Sequence, residues 1–324
     1  MTKFILRRTL QAIPLILLIS IIVFALLQLT PGGPLARFEN DPTISEADLK
    51  GLRQKLGLDD PIYVRYGRWL VDILHANFGD SYITHQPVNE MIAERLPNTL
   101  RLMIPAFILT ILLAVPLGIF SAIRQYSIFD HLTTAFAFAG QSIPIFWFGL
   151  MLIIFFYGRM TNPWTGANLF PPGGINSLDK SGDLLDSLWH MILPVSMLSL
   201  AWVSWYSRFL RTSMLDVIRQ DYIRTARAKG LALVKVYWKH AFPNAIIPMI
   251  TLIALDVSTL FAGAVYTETI FSWPGMGRLF YQSALRRDYP VLMAIVMITA
   301  VLIVFSNLLA DILYAYFDPR IRYD

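Results

Sequence analysis

Charge-free runs divide this chain more sharply than any periodicity. Residues 9–36, 102–123, 131–158, 187–207 and 289–310 contain no Asp, Glu, Lys or Arg, and 245–266 is interrupted only by Asp256. A helix crossing a bilayer needs about 20 mostly apolar residues. The runs therefore predict six membrane-spanning helices, the apolar part of the first ending near Leu29. Residues 160–178 are equally free of charge. Their sequence, MTNPWTGANLFPPGGINSL, is punctuated by Pro, Gly and Asn and predicts a loop instead.

Composition supports lipid as the solvent. Of 324 residues, 56% are hydrophobic and 15% charged, where a soluble domain carries about 25% charged residues. Mean hydropathy is +0.54. A globule of this size cannot bury that much apolar surface, and a disordered chain would need the opposite balance. Cysteine is absent, which excludes disulfides, thiolate metal sites and thiol nucleophiles. Lys3, Arg7 and Arg8 precede the first span as they would a signal peptide. Its apolar run is longer than the roughly 7–15 residues of a signal core, so an uncleaved helix is expected.

Six spans place both ends of the bundle on one side. That side collects fourteen lysines and arginines, eight of them between Arg208 and Lys239, against five in the two shorter loops opposite. The positive-inside rule then makes the termini cytoplasmic. The formal charge of +5 is thereby a topology signal rather than a nucleic-acid footprint. The long segment 31–97 falls outside, and its stretch YVRYGRWLVDIL suits either a helix lying at the membrane surface or a small cap packed on the bundle. The expected organisation is 1–97 as first helix and extracytoplasmic segment, 98–317 as a five-helix core with a cytoplasmic loop at 211–244, and 318–324 as a tail.

That loop contains DYIRTARAKGLALVKVYWKHAFPN, residues 221–244. A helix-competent piece with Ala226 and Ala228 meets Gly230, which marks a break because glycine costs a helix about 1 kcal/mol. A second helical piece follows and is expected to stop at Pro243. Helix, sharp turn and helix make a knob projecting from the membrane, with Arg224, Arg227 and Lys229 available to acidic partners. By composition alone an ordinary basic loop is the favoured reading.

With Gly230 as reference, Arg224-Thr225-Ala226 and His240-Ala241-Phe242-Pro243 fall where a known cytoplasmic motif has E-A-A, three residues, G, nine residues and I-x-L-P. Thr30-Pro31-Gly32-Gly33-Pro34, Glu94-Arg95-Leu96-Pro97-Asn98-Thr99, Gly140-Gln141-Ser142-Ile143-Pro144 and His190-Met191-Ile192-Leu193-Pro194 accompany it. FSWPGMGRL at 271–279, Arg287-Asp288-Tyr289-Pro290 and Phe317-Asp318-Pro319-Arg320 complete the set. Over nearly its whole length the chain resembles the "B" type permease subunit of oligopeptide and dipeptide ABC importers. Arg224, Thr225, His240 and Phe242 depart from the motif's usual residues.

The resemblance implies an all-α protein of the bacterial or archaeal cytoplasmic membrane that is not itself an enzyme. It implies a second homologous permease, two ATP-binding subunits and an extracytoplasmic substrate-binding protein. ATP and Mg would be bound by those partners and no cofactor by this chain, which carries no G-x-x-x-x-G-K-[ST] loop. Tyr222, Arg224, Thr225, Ala226, Arg227, Ala228, Lys229, Gly230 and Pro243 become the ATPase-coupling candidates. Substrates of similar sequences include peptides, nickel chelates and oligosaccharides.

Asp256 lies about ten residues, roughly 15 Å, into the fifth span, where a carboxylate is expensive unless it meets a polar cavity or a partner. With Ser258 and Thr259 it is a candidate for lining the translocation path, or it is an interhelical hydrogen bond. Gln141 and Ser142, beside Pro144, either open the third span to substrate or mark a kink. Asp311 raises an aspartyl intramembrane protease as a rival, but it lies about 33 Å along its span, close to the cytoplasmic face and roughly 15 Å or more from Asp256 in depth. The five histidines have no metal-ligand spacing. A stand-alone secondary transporter would show matching halves, and none is visible. The stretch 271–279 reads as an outer turn near the mouth of the path.

Overall fold

The computed structural model describes residues 2–29, 35, 45–55, 57–164, 166–261 and 263–317. Among these no β-strand forms; two isolated bridges, Asp80 with Pro87 and Thr161 with Asn168, are the sole extended pairings. The tail 318–324 and the segment Thr30–Pro34 lie outside the described residues. The chain divides into two compact units, Met1–Pro97 with Leu279–Asp324, and Asn98–Arg278. The helix Tyr289–Phe317 thus groups with the N-terminal unit.

In the first unit α1 (Thr2–Leu29) packs along α14 (Tyr289–Phe317). Only 11% of the span within α1 is buried, and Leu10, Leu18, Ile22 and Leu26 are exposed, as a lipid-facing helix requires. Arg8 pairs with Asp311 at 3.3 Å, which gives that aspartate a structural partner. A short helix α2 (Glu46–Lys55) precedes α3 (Ile62–Leu74). One face of α3 sits on α1: the rings of Tyr66 and Trp69 lie 5.5 and 5.4 Å from Phe24, and the Tyr66 hydroxyl shares a 2.8 Å hydrogen bond with Ser20. The other face leaves Ile62, Tyr63, Val71 and Leu74 exposed. Asp288, 2% exposed, accepts from Ser81 Oγ and the Tyr82 amide at 2.5 and 3.0 Å. Burial and that carboxylate push the Tyr82 phenol up to about 12, so it stays a neutral hydrogen-bond donor.

α4 (Val88–Ile123) leads into the second unit, which continues with α5 (Ile128–Ser142), α6 (Ile145–Leu152) and the long α7 (Leu184–Ile218). α8 (Asp221–Ala228), α9 (Leu233–Lys235), α10 (Phe242–Ala245), α11 (Ile247–Asp256) and α12 (Val265–Ile270) follow, and α13 (Met276–Arg286) leads back into the first unit. α5 lies against α7 so closely that a Cβ on Gly140 would collide with Ser204 Oγ. Small residues permit this approach where lipid supplies no hydrophobic drive between helices.

Among the described residues four helices are long and apolar enough to cross a membrane: Leu6–Leu26, Val88–Ile123, Leu184–Ile218 and Tyr289–Asp311. Two bent pairs bring the number to six if each is one span, Ile128–Ser142 with Ile145–Arg159 at 103° and Leu233–Ala245 with Ile247–Phe261 at 45°. The uncharged run 131–158 is therefore not a straight helix. Pro144 drives Ile143 into extended backbone (φ −75°, ψ 124°), which ends α5 and restarts the chain as α6 in a new direction. The loop expected over 160–178 is non-helical among its described residues.

Candidate functional site

α8 has two chemically distinct faces. Ile223 and Ala226, three residues apart and therefore on one side, are buried with Tyr206, Leu210 and Met214 of α7 and with Ala241, Ala245 and Met249. Tyr222, Arg224, Thr225, Arg227, Ala228 and Lys229 are exposed on the remaining surface. Ala226 thus serves the interior packing, and of the two alanines only Ala228 is presented outward. Asp221 in the first turn and Arg227 in the last complement the helix dipole. The Arg224–Asp221 pair at 3.3 Å is almost fully exposed and adds little stability.

The helix stops at Gly230. Its amide donates to the Arg227 carbonyl at 2.9 Å, and its φ of +75° lies in the left-handed region that side chains with a Cβ enter at a cost. No atom lies within 4 Å of where its Cβ would be, so the constraint is conformational and not steric. After the turn, α9 continues as a π-helical stretch, Val236–Ala241, directly into α10. Pro243 stands in the first turn of α10, where its missing N–H is no loss. The second helical piece therefore runs through Pro243 rather than stopping there.

Behind α8 lies an ion pair that sequence reading passed over. Asp130, 3% exposed, receives Arg211 in bidentate fashion at 2.6 and 2.7 Å. It also accepts from Ser121 Oγ at the end of α4 and from the Tyr126 amide at 2.9 Å. One carboxylate thereby ties α4, the α4–α5 turn and α5 to α7. The signal available was Asp130 standing one residue before an uncharged run.

A second buried knot assembles two motifs that the sequence showed separately. Glu268 is fully buried and accepts from Thr99 Oγ1 at 2.8 Å, the Arg278 amide at 2.9 Å and the Ala264 amide at 3.3 Å. Trp273, 1% exposed, donates its indole N–H to the Asn98 carbonyl at 2.8 Å, and the Met276 amide donates to Thr99 Oγ1 at 2.7 Å. Within the stretch 271–279 Trp273 and Gly275 are both buried, Trp273 in a core with Leu102, Met103 and Met191.

The path candidates separate. Gln141 and Ser142 are exposed at the break between α5 and α6. There the Arg208 guanidinium donates to Gln141 Oε1 at 2.9 Å and lies 4.6 Å from the Phe138 ring. A cavity of ≈ 520 Å³ at the break is lined by Gln141, Pro144, Met197 and Trp205. A second, of ≈ 350 Å³, continues from Trp205 to Arg208, Thr212 and Asp216. Met197, Ala201, Trp205, Arg208, Thr212 and Asp216 advance by three or four residues and share one face of α7. Asp256 belongs elsewhere. It accepts the hydroxyl of buried Tyr206 from the core beneath α8, while Ser258 and Thr259 turn their hydroxyls to the Leu255 and Asp256 carbonyls at 2.6 Å.

The fold defines a class first: a helical integral membrane protein crossing the bilayer several times. The chain belongs to the family described as binding-protein-dependent transport system inner membrane component, whose model matches residues 114–323, and the model of its N-terminal part matches 1–103. It is 45% identical over 324 residues to the oligopeptide transport system permease protein AppB of Bacillus subtilis, covering 100% of both chains. Identity is 38% over 340 residues to the dipeptide transport system permease protein DppB of Escherichia coli K12, covering 100% of this chain and 99% of that one. A putative peptide transport system permease protein of Brucella abortus is 40% identical with 100% of both chains covered. The inward-facing MetNI methionine ABC transporter shares the fold, with a TM-score of 0.53 and 14% identity over 70% of this chain and 95% of that chain. The protein is thus a multi-pass inner-membrane permease subunit of a binding-protein-dependent importer.

Proposed function

We propose that this chain is the six-span, termini-inside permease of an ATP-driven importer of di- and oligopeptides, with α8 as the element that receives the motion of separate ATPase subunits. The two-faced character of α8 carries this reading. Its polar outer surface is free to dock, while Ile223 and Ala226 lock it to α7. The peptide class follows the names of relatives at 38–45% identity over the whole chain. ATP and Mg belong to the partner ATPases, and the binding protein delivers substrate outside. A displacement of α8 would move α7 as a body, since packed elements switch between discrete arrangements.

The stripe along α7 is the proposed path, with Gln141 and Ser142 at its break and Arg208 as its cationic contact. Its polar half, Arg208, Thr212 and Asp216, is tolerated where it faces a water-filled route. Asp256 is assigned to holding the fifth span against α7 through Tyr206, while Ser258 and Thr259 cap carbonyls of their own segment.

Two measurements on the reconstituted complex test this. Gly230→Asn should keep most uptake, because asparagine tolerates the left-handed turn, while Gly230→Val should lower uptake several-fold with the complex still assembled. Full uptake and full binding-protein-stimulated ATP hydrolysis in the valine variant would sink the coupling role. Arg208→Gln should reduce uptake of peptides with a free C-terminal carboxylate by about tenfold, the worth of one charge-assisted hydrogen bond, and spare C-terminally amidated ones. Equal loss for both peptide forms would remove Arg208 as a substrate contact.

A further inference from the structure

Within the first unit a cavity of ≈ 370 Å³ opens between the C-terminal end of α1, one side of α3 and the first turns of α14. Its apolar wall is Phe24, Trp69 and Met293. Its polar lining is balanced in charge, Arg65 and Arg68 against Asp72 and Asp80. Tyr289, 8% exposed, stands in the same wall, and its hydroxyl is shut off from solvent with no hydrogen-bond partner. A buried donor without a partner calls for an acceptor, and the cavity that this ring borders is where one can sit.

Arg65 gives one N–H to Gln28 Oε1 at 2.7 Å, and Arg68 gives one to Asp60 Oδ2 at 2.5 Å. A guanidinium has five donors, so each arginine can take a further oxygen ligand. Burial draws the Arg65 pKa below its ordinary value, in keeping with a cation held partly out of water. The position decides the class of ligand. α1 and α14 are bilayer-length apolar helices, and the cavity lies where the first ends and the second begins, at the level of lipid headgroups. α3 presents Tyr63, Ile62, Val71 and Leu74 outward at the same level, as an interfacial helix does.

We propose that this cavity holds the headgroup of a zwitterionic phospholipid bearing a primary ammonium, of the phosphatidylethanolamine type. The phosphodiester meets Arg65 and Arg68, the ammonium meets Asp72 and Asp80, and Tyr289 donates to a phosphate or ester oxygen. The glycerol end and first acyl carbons rest on Phe24, Trp69 and Met293. Equal numbers of cations and carboxylates separate this from an anionic-lipid site, where cations alone would dominate.

The test uses the complete transporter complex in nanodiscs of equimolar dioleoyl-phosphatidylethanolamine and dioleoyl-phosphatidylglycerol, followed by native mass spectrometry of the lipid retained after release. Wild-type complex should retain the ethanolamine lipid over the glycerol lipid by about tenfold, the scale of one ionic hydrogen bond. The double variant Asp72→Asn/Asp80→Asn should erase that preference, because only the ethanolamine lipid carries the ammonium those carboxylates meet. Tyr289→Phe removes only an oxygen from a packed ring and so keeps the fold; it should lower retention about threefold. Equal retention of both lipids by wild type, a preference unchanged in the aspartate variant, or retention unchanged in Tyr289→Phe overturns the site. Displacement of the lipid by a tripeptide at transported concentrations would also overturn it, by making the cavity a substrate site.

Discussion

Glu268→Ala is expected to abolish accumulation of the protein in the membrane, or to leave a complex whose Tm is lowered by many degrees. Thr99 Oγ1 and the amides of Ala264 and Arg278 would lose their acceptor together in a site closed to water. Stranding a buried donor costs about 1–3 kcal/mol, so three of them cost several. The alanine would also leave a void beside Gly275, whose missing Cβ makes room for the carboxylate. Glu268→Gln grades the effect. Its carbonyl can serve Thr99 and Ala264, but its amide then faces the Arg278 N–H donor to donor, for about 1–3 kcal/mol. The order wild type, Gln, Ala in thermal melting of the purified complex checks this. An alanine variant melting with wild type would show that the knot does not hold the fold.

Glu268 also shows which features the sequence hides. It lies two residues past the run that predicted the fifth span, and it meets Thr99 across 169 residues of chain. ERLPNT and FSWPGMGRL were visible as motifs, yet their meeting was not, because nothing local in either string refers to the other. The spans were legible for the opposite reason. Hydrocarbon makes charge costly along a crossing segment, so a span prints itself as a run nearly free of charge. The same blindness to direction left the 103° break at Pro144 inside one uncharged run. The proline was visible, but an angle depends on what the two halves pack against, here Met197 under Gly149 and Ser204 under Gly140.

The loop 221–244 was legible as helix, turn and helix because Gly230 is a local requirement. Which face of α8 points inward was not, since Ala226 and Ala228 are equivalent until α7 supplies Leu210 and Met214 as neighbours. Asp256 had two readings of near-equal standing, and Tyr206, fifty residues away in the chain, provides the hydrogen bond that favours the structural one.

Asp130 and Arg211 should prove strongly coupled in a double-mutant cycle. Asp130→Asn and Arg211→Met each leave one member of a desolvated pair without its counter-charge, which costs about 3–5 kcal/mol in a fully buried pair and less here because Arg211 is 23% exposed. The double variant, having no charge left to strand, should cost well under the sum, with an interaction term of about 1–3 kcal/mol from chemical or thermal unfolding of the complex. Additive losses would mean that the two side chains stabilise the fold independently. The functional consequence follows from what the pair joins. On the proposed reading α8 moves with α7 through Ile223 and Ala226, and Arg211 is the point at which α7 grips the start of α5. α5 ends at the break where Gln141 meets Arg208. Cutting the pair should therefore let ATP hydrolysis continue in the assembled complex while uptake falls. That split separates a transmission role from a merely structural one, in which both activities would fall together with the amount of folded protein.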